Sequence, residues 1–292
     1  MQYEPSFSVI INCYNSEKFI KETIESVLRQ SYIHFEVIVW DNVSTDKTLE
    51  IVSKFLDPRV NIFIAETHTS LGKARNMAIS KAKKEYLAFI DSDDLWEPNK
   101  LAVYAEKLVE SKHGSIVLFS NSFLIDGDSN RIGKIYTGKK PRTTKRQLLL
   151  NYNLSLETLV VPRDIVETNS ITFGDYNIIE EFDFVLQLSK FCDITYIDGI
   201  YSSWRIHDSQ LSQTKELDYP IELILWTKSV KGMFNFVDLW TLRQLAIIKY
   251  MLTCKKLNIK IDSSVVSPIS IWNLLSLIPY QILLKIKNFY DK

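Results

Sequence analysis

Tyr86-Leu87-Ala88-Phe89-Ile90-Asp91-Ser92-Asp93-Asp94-Leu95-Trp96 decides how this chain is read. A short apolar run that ends abruptly in carboxylates fits a buried parallel strand whose C-terminal end opens into a crevice, where open α/β sheets place their ligands. Asp91, Asp93 and Asp94 repel one another when ionised. A divalent cation among them relieves that repulsion, and an all-oxygen set suits Mg²⁺ or Mn²⁺. Such an ion, held by few protein groups, keeps positions open for phosphate oxygens. A competing reading makes Asp93 or Asp94 the cap of the following helix and leaves the others solvated.

The surroundings of that strand repeat its logic. Phe7–Asn12 is apolar and β-branched, and after Ser16, a candidate N-cap, Phe19, Ile20, Ile24, Val27 and Leu28 recur at helical spacing. Phe35–Trp40 is a second buried strand ending at Asp41, with Ser44 or Thr45 as cap for a helix carrying Leu49, Ile51, Val52 and Phe55. Val60–Ala65 reads as a third strand. Leu71–Ala82 follows as a helix turning Ala74, Met77, Ala78 and Ala82 to the sheet. Strand and helix alternating over about a hundred residues predicts βαβ units and a mainly parallel sheet.

Downstream the pattern loosens. A helix over Pro98–Ser111 precedes a strand over Ser115–Ile125, which turns at Asp126–Asn130 into Arg131–Tyr136. Asp126, Asp128 and Asn130 imitate a calcium loop, yet Arg131 and Thr137 stand where that loop needs Gly and Glu, so a hairpin turn is expected. Gly133–Lys139 has P-loop spacing, but Lys140 and Pro141 follow where Ser or Thr is required. Leu156–Val161 reads as a strand, and a helix carries Phe184, Val185, Leu186, Leu188 and Phe191 after the acidic cluster Glu180-Glu181-Phe182-Asp183. Acidic residues also favour helix starts for electrostatic reasons alone. Ile194–Ile197 and Tyr201–Ile206 read as edge strands, His207 as a loop residue, and Ile221–Phe236 and Leu239–Cys254 as helices.

Composition narrows the function classes. The 292 residues carry 35 basic and 35 acidic side chains, a balance that argues against a nucleic-acid binder. Cys13, Cys192 and Cys254 are scattered without metal or redox spacing and read as reduced thiols of a cytoplasmic protein. The start Met-Gln-Tyr-Glu-Pro has no secretory character. Near the other end, Val265–Tyr290 is apolar with Trp272, Tyr280 and Lys285, but Asn273, Pro279 and Gln281 interrupt it. That makes a poor membrane span. It predicts either an interfacial helix on the inner face of the plasma membrane or a helix packed on the catalytic domain or on a homodimer partner.

Six pieces in order resemble the inverting nucleotide-sugar glycosyltransferases of family 2, with the GT-A fold. They are Val9–Asn15, Asp41–Asp46, Gly72–Asn76, Asp91–Asp94, Glu180–Asp183 and Trp204–His207. The resemblance covers residues 7 to about 212. It implies a GT-A domain over 1–212, with a nucleotide-binding part to about 112 and an acceptor part after it, and leaves 213–292 as a helical extension.

The resemblance also implies roles. Asp93 is the main metal ligand, with Asp94 and His207 close by and Mn²⁺ or Mg²⁺ as the ion; Asp91 faces the ribose. Arg75 and His207 lie on the diphosphate side. Asn12 and Tyr14 contact base and ribose, beside Asp41 and Asn42. Asn42 stands where a base-reading Asp is common, and its carbonyl still accepts from a pyrimidine N–H. Glu181, where Asp is the commoner type, is the implied catalytic base, with Asp183 in reserve. One added methylene shifts reach by roughly an ångström. The expected substrates are a UDP- or dTDP-sugar and a glycan or lipid-linked acceptor of bacterial surface polysaccharide. A nucleotidyltransferase would need a Gly-rich basic loop where Cys13–Glu17 stands, and a non-catalytic binding module would not need carboxylates at both sites.

Overall fold

The computed structural model describes residues 3–111, 115–136, 141, 143–230, 232–262 and 265. The expectations for residues 137–140 and for the apolar tail beyond 265 lie outside these. The chain folds as two compact units, Met1–Thr214 and Lys215–Lys292.

The first unit begins with β1 (Phe7–Cys13), α1 (Ile20–Leu28), β2 (Phe35–Asp41), α2 (Thr48–Val52), β3 (Val60–Ile64), α3 (Leu71–Ile79) and β4 (Tyr86–Asp91). Their four strands are parallel, in spatial order β3-β2-β1-β4. Every residue of β1 and β2 is buried, as strands covered on both faces require. Register brings Asn12 beside Trp40 and Asp91, and Cys13 beside Asp41. The C-terminal ends of β1, β2 and β4 therefore finish level, and β1 has neighbours from both directions of winding. That is the switch point where such sheets open a crevice.

Beyond β4 the sheet becomes mixed. The next elements are β5 (Leu95–Trp96), α4 (Lys100–Glu110), β6 (Ile116–Ile125), β7 (Arg131–Lys134), α5 (Lys145–Leu150), β8 (Val160–Pro162), α6 (Arg163–Thr168), α7 (Glu180–Leu188), β9 (Asp193–Arg205) and the short α8 (Leu211–Thr214). The order continues β4-β8-β6-β9-β5, with β8 antiparallel to β4 and β6, and β9 parallel to β6. The Asp126 turn is the expected hairpin: its carboxylate accepts from the backbone amides of Asp128 and Asn130, both at 2.9 Å.

Several local expectations change. The two expected edge strands are one 13-residue strand, β9, which lies between β6 and β5. Gly199, at a φ of +132°, absorbs an irregularity opposite Asn121 that a side chain would not tolerate. Leu156–Thr158 is a 3₁₀ turn rather than strand. The α2 amide of Thr48 is met by Asp46 at 2.9 Å, in place of Ser44 or Thr45. Met77 is 39% exposed, while Ala74 and Ala78 face inward.

The second unit contains α9 (Asp218–Ser229) and α10 (Phe236–Lys256). The backbone turns extended at Val230, ending α9 earlier than expected, and Asn235 caps α10 by accepting from the Asp238 amide at 2.8 Å. Among the described residues no helix is long and apolar enough to cross a membrane.

Candidate active site

The loops that follow β1, β2 and β4 form the upper rim. After β4, the carboxylates diverge. Asp93 Oδ2 lies 2.8 Å from His207 Nε2, whose other nitrogen meets Ser209 Oγ at 2.8 Å. His207 also packs on Phe19, with ring centroids 4.8 Å apart. The loop histidine at the end of β9 is thus brought to the strand-end carboxylates. Arg205 holds the arrangement from beneath. Fully buried, it donates to the Asp93 carbonyl at 2.6 Å, to Glu22 at 2.8 Å and to Ser129 at 2.9 Å.

Asp94 turns inward. Its carboxyl is buried, and Oδ1 accepts from the Arg205 amide at 2.8 Å. Burial, reinforced by Asp93 and Glu157, raises its pKa well above the carboxylate range. Oδ1 thereby straps β4 to β9, while Oδ2 meets no hydrogen-bond partner among the described residues.

The β1 and β2 loops carry backbone held in the left-handed region at Asn15 (φ 51°) and Val43 (φ 66°). For a β-branched valine this is costly and belongs to over-determined, functional loops. Asp41 is buried and accepts from the Ser44 amide at 3.0 Å. Asn42, expected to read a base, is already engaged at both ends of its amide: it donates to the Thr69 carbonyl at 2.9 Å and accepts from the Thr69 amide at 3.2 Å. Asn12 is buried beside Asp91, and its side-chain nitrogen meets no hydrogen-bond partner among the described residues. Tyr14, 47% exposed, packs against His68 with centroids 4.3 Å apart. His68 is fixed through Nδ1 to the Asn42 carbonyl at 2.9 Å. Nothing in the polar stretch Glu66–Thr69 marked that histidine.

The lower rim is α7. Tyr152 donates to Glu181 Oε1 at 2.5 Å. Burial raises the Glu181 pKa well above the glutamate range, while Tyr152 and Arg75 act to lower it. A carboxylate tuned upward while remaining hydrogen-bonded is suited to general-base work. Asp183 stands two residues along the helix, hence on another face, and accepts from Gln187 at 3.0 Å. Tyr152 sits in the polar stretch Asn151–Asn153, which gave no periodic signal.

Arg75 joins the two rims. It is 2% exposed, donates to Asp91 at 2.6 Å and to Glu180, and lies 5.5 Å from the Phe173 ring centroid. Burial opposes its charge, but Asp91 and Glu180 more than offset that and keep the guanidinium protonated. It was expected on the diphosphate side; the structure puts it inside, between carboxylates. Below these groups Lys100 is fully buried at the start of α4, 3.3 Å from the Thr158 carbonyl and against Tyr104. Burial pushes it down to about 7, with Glu157 acting the other way.

The arrangement has counterparts among known proteins, and the family model described as "Glycosyl transferase family 2" matches residues 8–159. The chain belongs to glycosyl transferase family 2. This transferase is 30% identical over 257 residues to the UDP-Glc:alpha-D-GlcNAc-diphosphoundecaprenol beta-1,3-glucosyltransferase WfgD of Escherichia coli, covering 87% of this chain and 93% of that one. Its fold is similar to that of Staphylococcus aureus TarS 1–349 in complex with UDP-GlcNAc, with a TM-score of 0.63 and 21% identity over 89% of this chain and 77% of that chain. It is also similar to the mannosyltransferase PcManGT of Pyrobaculum calidifontis in complex with GDP-Man and Mn²⁺, with a TM-score of 0.58 and 15% identity over 99% and 88%. The transferase accordingly has the GT-A α/β fold, with helices following the sheet domain.

Proposed function

We infer that this glycosyltransferase moves one sugar from a UDP-sugar to a hydroxyl of a lipid-linked or polymeric glycan of the cell surface, with inversion at the anomeric carbon. The carrying observation is the pairing of two unlike stations: Asp93 with His207 at the strand ends, and Glu181, raised by burial and held by Tyr152, on α7. The donor class is supported by the UDP-glucose named for WfgD and the UDP-GlcNAc bound by TarS. The acceptor class is supported by the diphosphoundecaprenol glycan in WfgD's name and the poly(ribitol-phosphate) in that of TarS.

Asp93 and His207 fit a divalent ion, since one carboxylate oxygen and one imidazole nitrogen converge within 2.8 Å and leave most of a coordination sphere to phosphate and water. Among the described residues no group of three His, Cys, Asp or Glu comes together as a complete metal site. A cation bound there would supply positive charge against the developing charge of the leaving diphosphate. The exposed Tyr14–His68 pair offers an aromatic platform for the base, and Asp91 and Asn12 lie in register for the ribose.

On the opposite side the Glu181 carboxylate takes the proton of the acceptor hydroxyl as its oxygen bonds to the anomeric carbon. The bond from that carbon to the β-phosphate oxygen breaks, releasing UDP. One base and one displacement leave no covalent intermediate, so configuration inverts. The test is a panel of UDP-, dTDP- and GDP-sugars with Mn²⁺ or Mg²⁺, followed by calorimetry, donor hydrolysis and NMR of the product anomer with a short diphospholipid-linked sugar. UDP-sugar binding and an inverted product are expected; a retained anomer, or selection of GDP-sugars, overturns the reading.

A further inference from the structure

We propose that Arg75 and the face of α3 around it form a positioning device that couples occupancy of the donor side to the seating of the base helix α7. The proposal rests on the reading of Glu181 as base. It departs from the expectation that Arg75 meets the diphosphate, because the guanidinium is buried and committed to two carboxylates, 105 residues away in sequence on one arm and 16 on the other.

The contact is wider than one ion pair. The segment Ser70–Asn76 meets residues 173–177, which lead into α7, at almost every position. Asn76 and Phe173 exchange two hydrogen bonds, Nδ2 to carbonyl at 2.8 Å and amide to Oδ1 at 2.9 Å. Ser70 donates to Asp175 at 2.5 Å, and Lys73 pairs with the same carboxylate at 2.6 Å. The Gly72 amide donates to the Tyr176 carbonyl at 3.2 Å. Gly72 lies so close to this stretch of chain that an added Cβ would stand 1.9 Å from the Gly174 carbonyl oxygen and 3.3 Å from Glu180 Cβ. Phe173 in turn stacks on Phe184 of α7, centroids 4.0 Å apart and planes within 8°.

Arg75 therefore completes a rigid path. Asp91 ends β4 and remains 38% exposed at its side chain, available to a nucleotide; its other neighbour is the guanidinium that holds Glu180, the residue before the base. A planar guanidinium that gives one terminal nitrogen to each of two carboxylates fixes both in one geometry, which a lysine ammonium cannot reproduce. Nucleotide ordering Asp91 orders the Arg75 bridge, and through it the first turn of α7.

The decisive measurement is amide hydrogen exchange of the full chain with and without UDP and Mn²⁺, alongside calorimetry with the same probe. In the parent protein UDP should slow exchange at residues 179–185 at least threefold. In Arg75→Met that region should exchange at least tenfold faster without nucleotide and gain no protection from UDP, while the UDP Kd stays within threefold of the parent. Arg75→Lys should restore folding but not the UDP-dependent protection. Should Arg75→Met fail to fold, Glu180→Gln removes the charge of the α7 arm alone, weakening it, and carries the same expectation. A UDP Kd weakened tenfold or more in Arg75→Lys or Glu180→Gln, or protection of 179–185 equal to the parent's, overturns the proposal. A parent protein that does not bind UDP counts against the donor reading instead, and the nucleotide-free exchange rates still decide whether Arg75 seats α7.

Discussion

His207 Nε2 and Asp93 Oδ2 stand 2.8 Å apart although 114 residues separate them, so the end of β9 is fastened to the loop that follows β4. Asp93→Asn keeps the shape of that contact and removes its charge. The expected result is at least tenfold weaker UDP binding in the presence of Mn²⁺, about 1.4 kcal/mol, with little change in metal-free affinity. Calorimetry with and without EDTA reads both; equal loss in both conditions would remove the metal from Asp93.

Glu181→Gln preserves size and hydrogen-bonding shape but not basicity. Transfer should fall by roughly 10²-fold or more with UDP affinity retained. Asp183→Asn serves as the comparison. Its carboxylate is engaged by Gln187 within the helix, and a charge at a helix start contributes about 0.3–1 kcal/mol, so turnover should change less than about fivefold. A dead Asp183→Asn enzyme beside an active Glu181→Gln one would exchange their roles.

Burial raises the Glu181 pKa, so with Glu181 as the proposed base its carboxylate is lost as pH falls through a value above the ordinary glutamate range, and kcat should fall with it. Tyr152 opposes that shift by donating to the carboxylate. Tyr152→Phe should therefore move the acidic limb of the kcat profile to higher pH. A limb that moves down, or does not move, separates Tyr152 from the base.

Lys100 gives a second pH signature, in stability. Its folded pKa is depressed to about 7 from 10.5, so between those values the unfolded chain binds a proton that the folded one has released. Stability then rises with pH across that window, and the rise is absent below it. Denaturant titrations of the parent and of Lys100→Met from about pH 6 to about pH 10 should show the parent gaining on the variant. Parallel curves would mean that the ammonium keeps its ordinary pKa inside the protein.

Gly72→Ala should overpack the α3 contact. Its methyl would meet backbone at Gly174, which cannot swing aside as a flexible side chain can, so about 1–3 kcal/mol of stability is expected to be lost. Thermal unfolding measures the loss. An unchanged midpoint would show that α3 and the Gly174 segment separate freely.

The sequence was most legible where physics is local and repetitive. β1, β2 and β4 are apolar at nearly every buried position, the exceptions Ser8 and Glu36 bonding to each other, and their polar terminators Asn12, Asp41 and Asp91 finish nearly level because parallel register carries each to the same edge. The residues that complete the site are legible only in space. His68 and Tyr152 come from polar loops, and Glu157 from a 3₁₀ turn, none with a periodicity to betray its direction. For Asp94 and Asn42 the reason is shared: a motif tells which polar residue is present, but not whether the neighbouring backbone also engages it, as the Arg205 and Thr69 amides do. Arg75 is the extreme case, expected on the diphosphate side, with one of its two carboxylate partners 105 residues away.

The close fit of Gly72 beneath Gly174 also limits how segments can be exchanged between relatives. A chimaera that imports a new 170–190 segment onto this N-terminal half carries a foreign backbone path against an unchanged glycine. The graft has to take the Ser70–Asn76 stretch with it, so the crossover points for recombination lie before α3 and after α7, not at the middle of the chain.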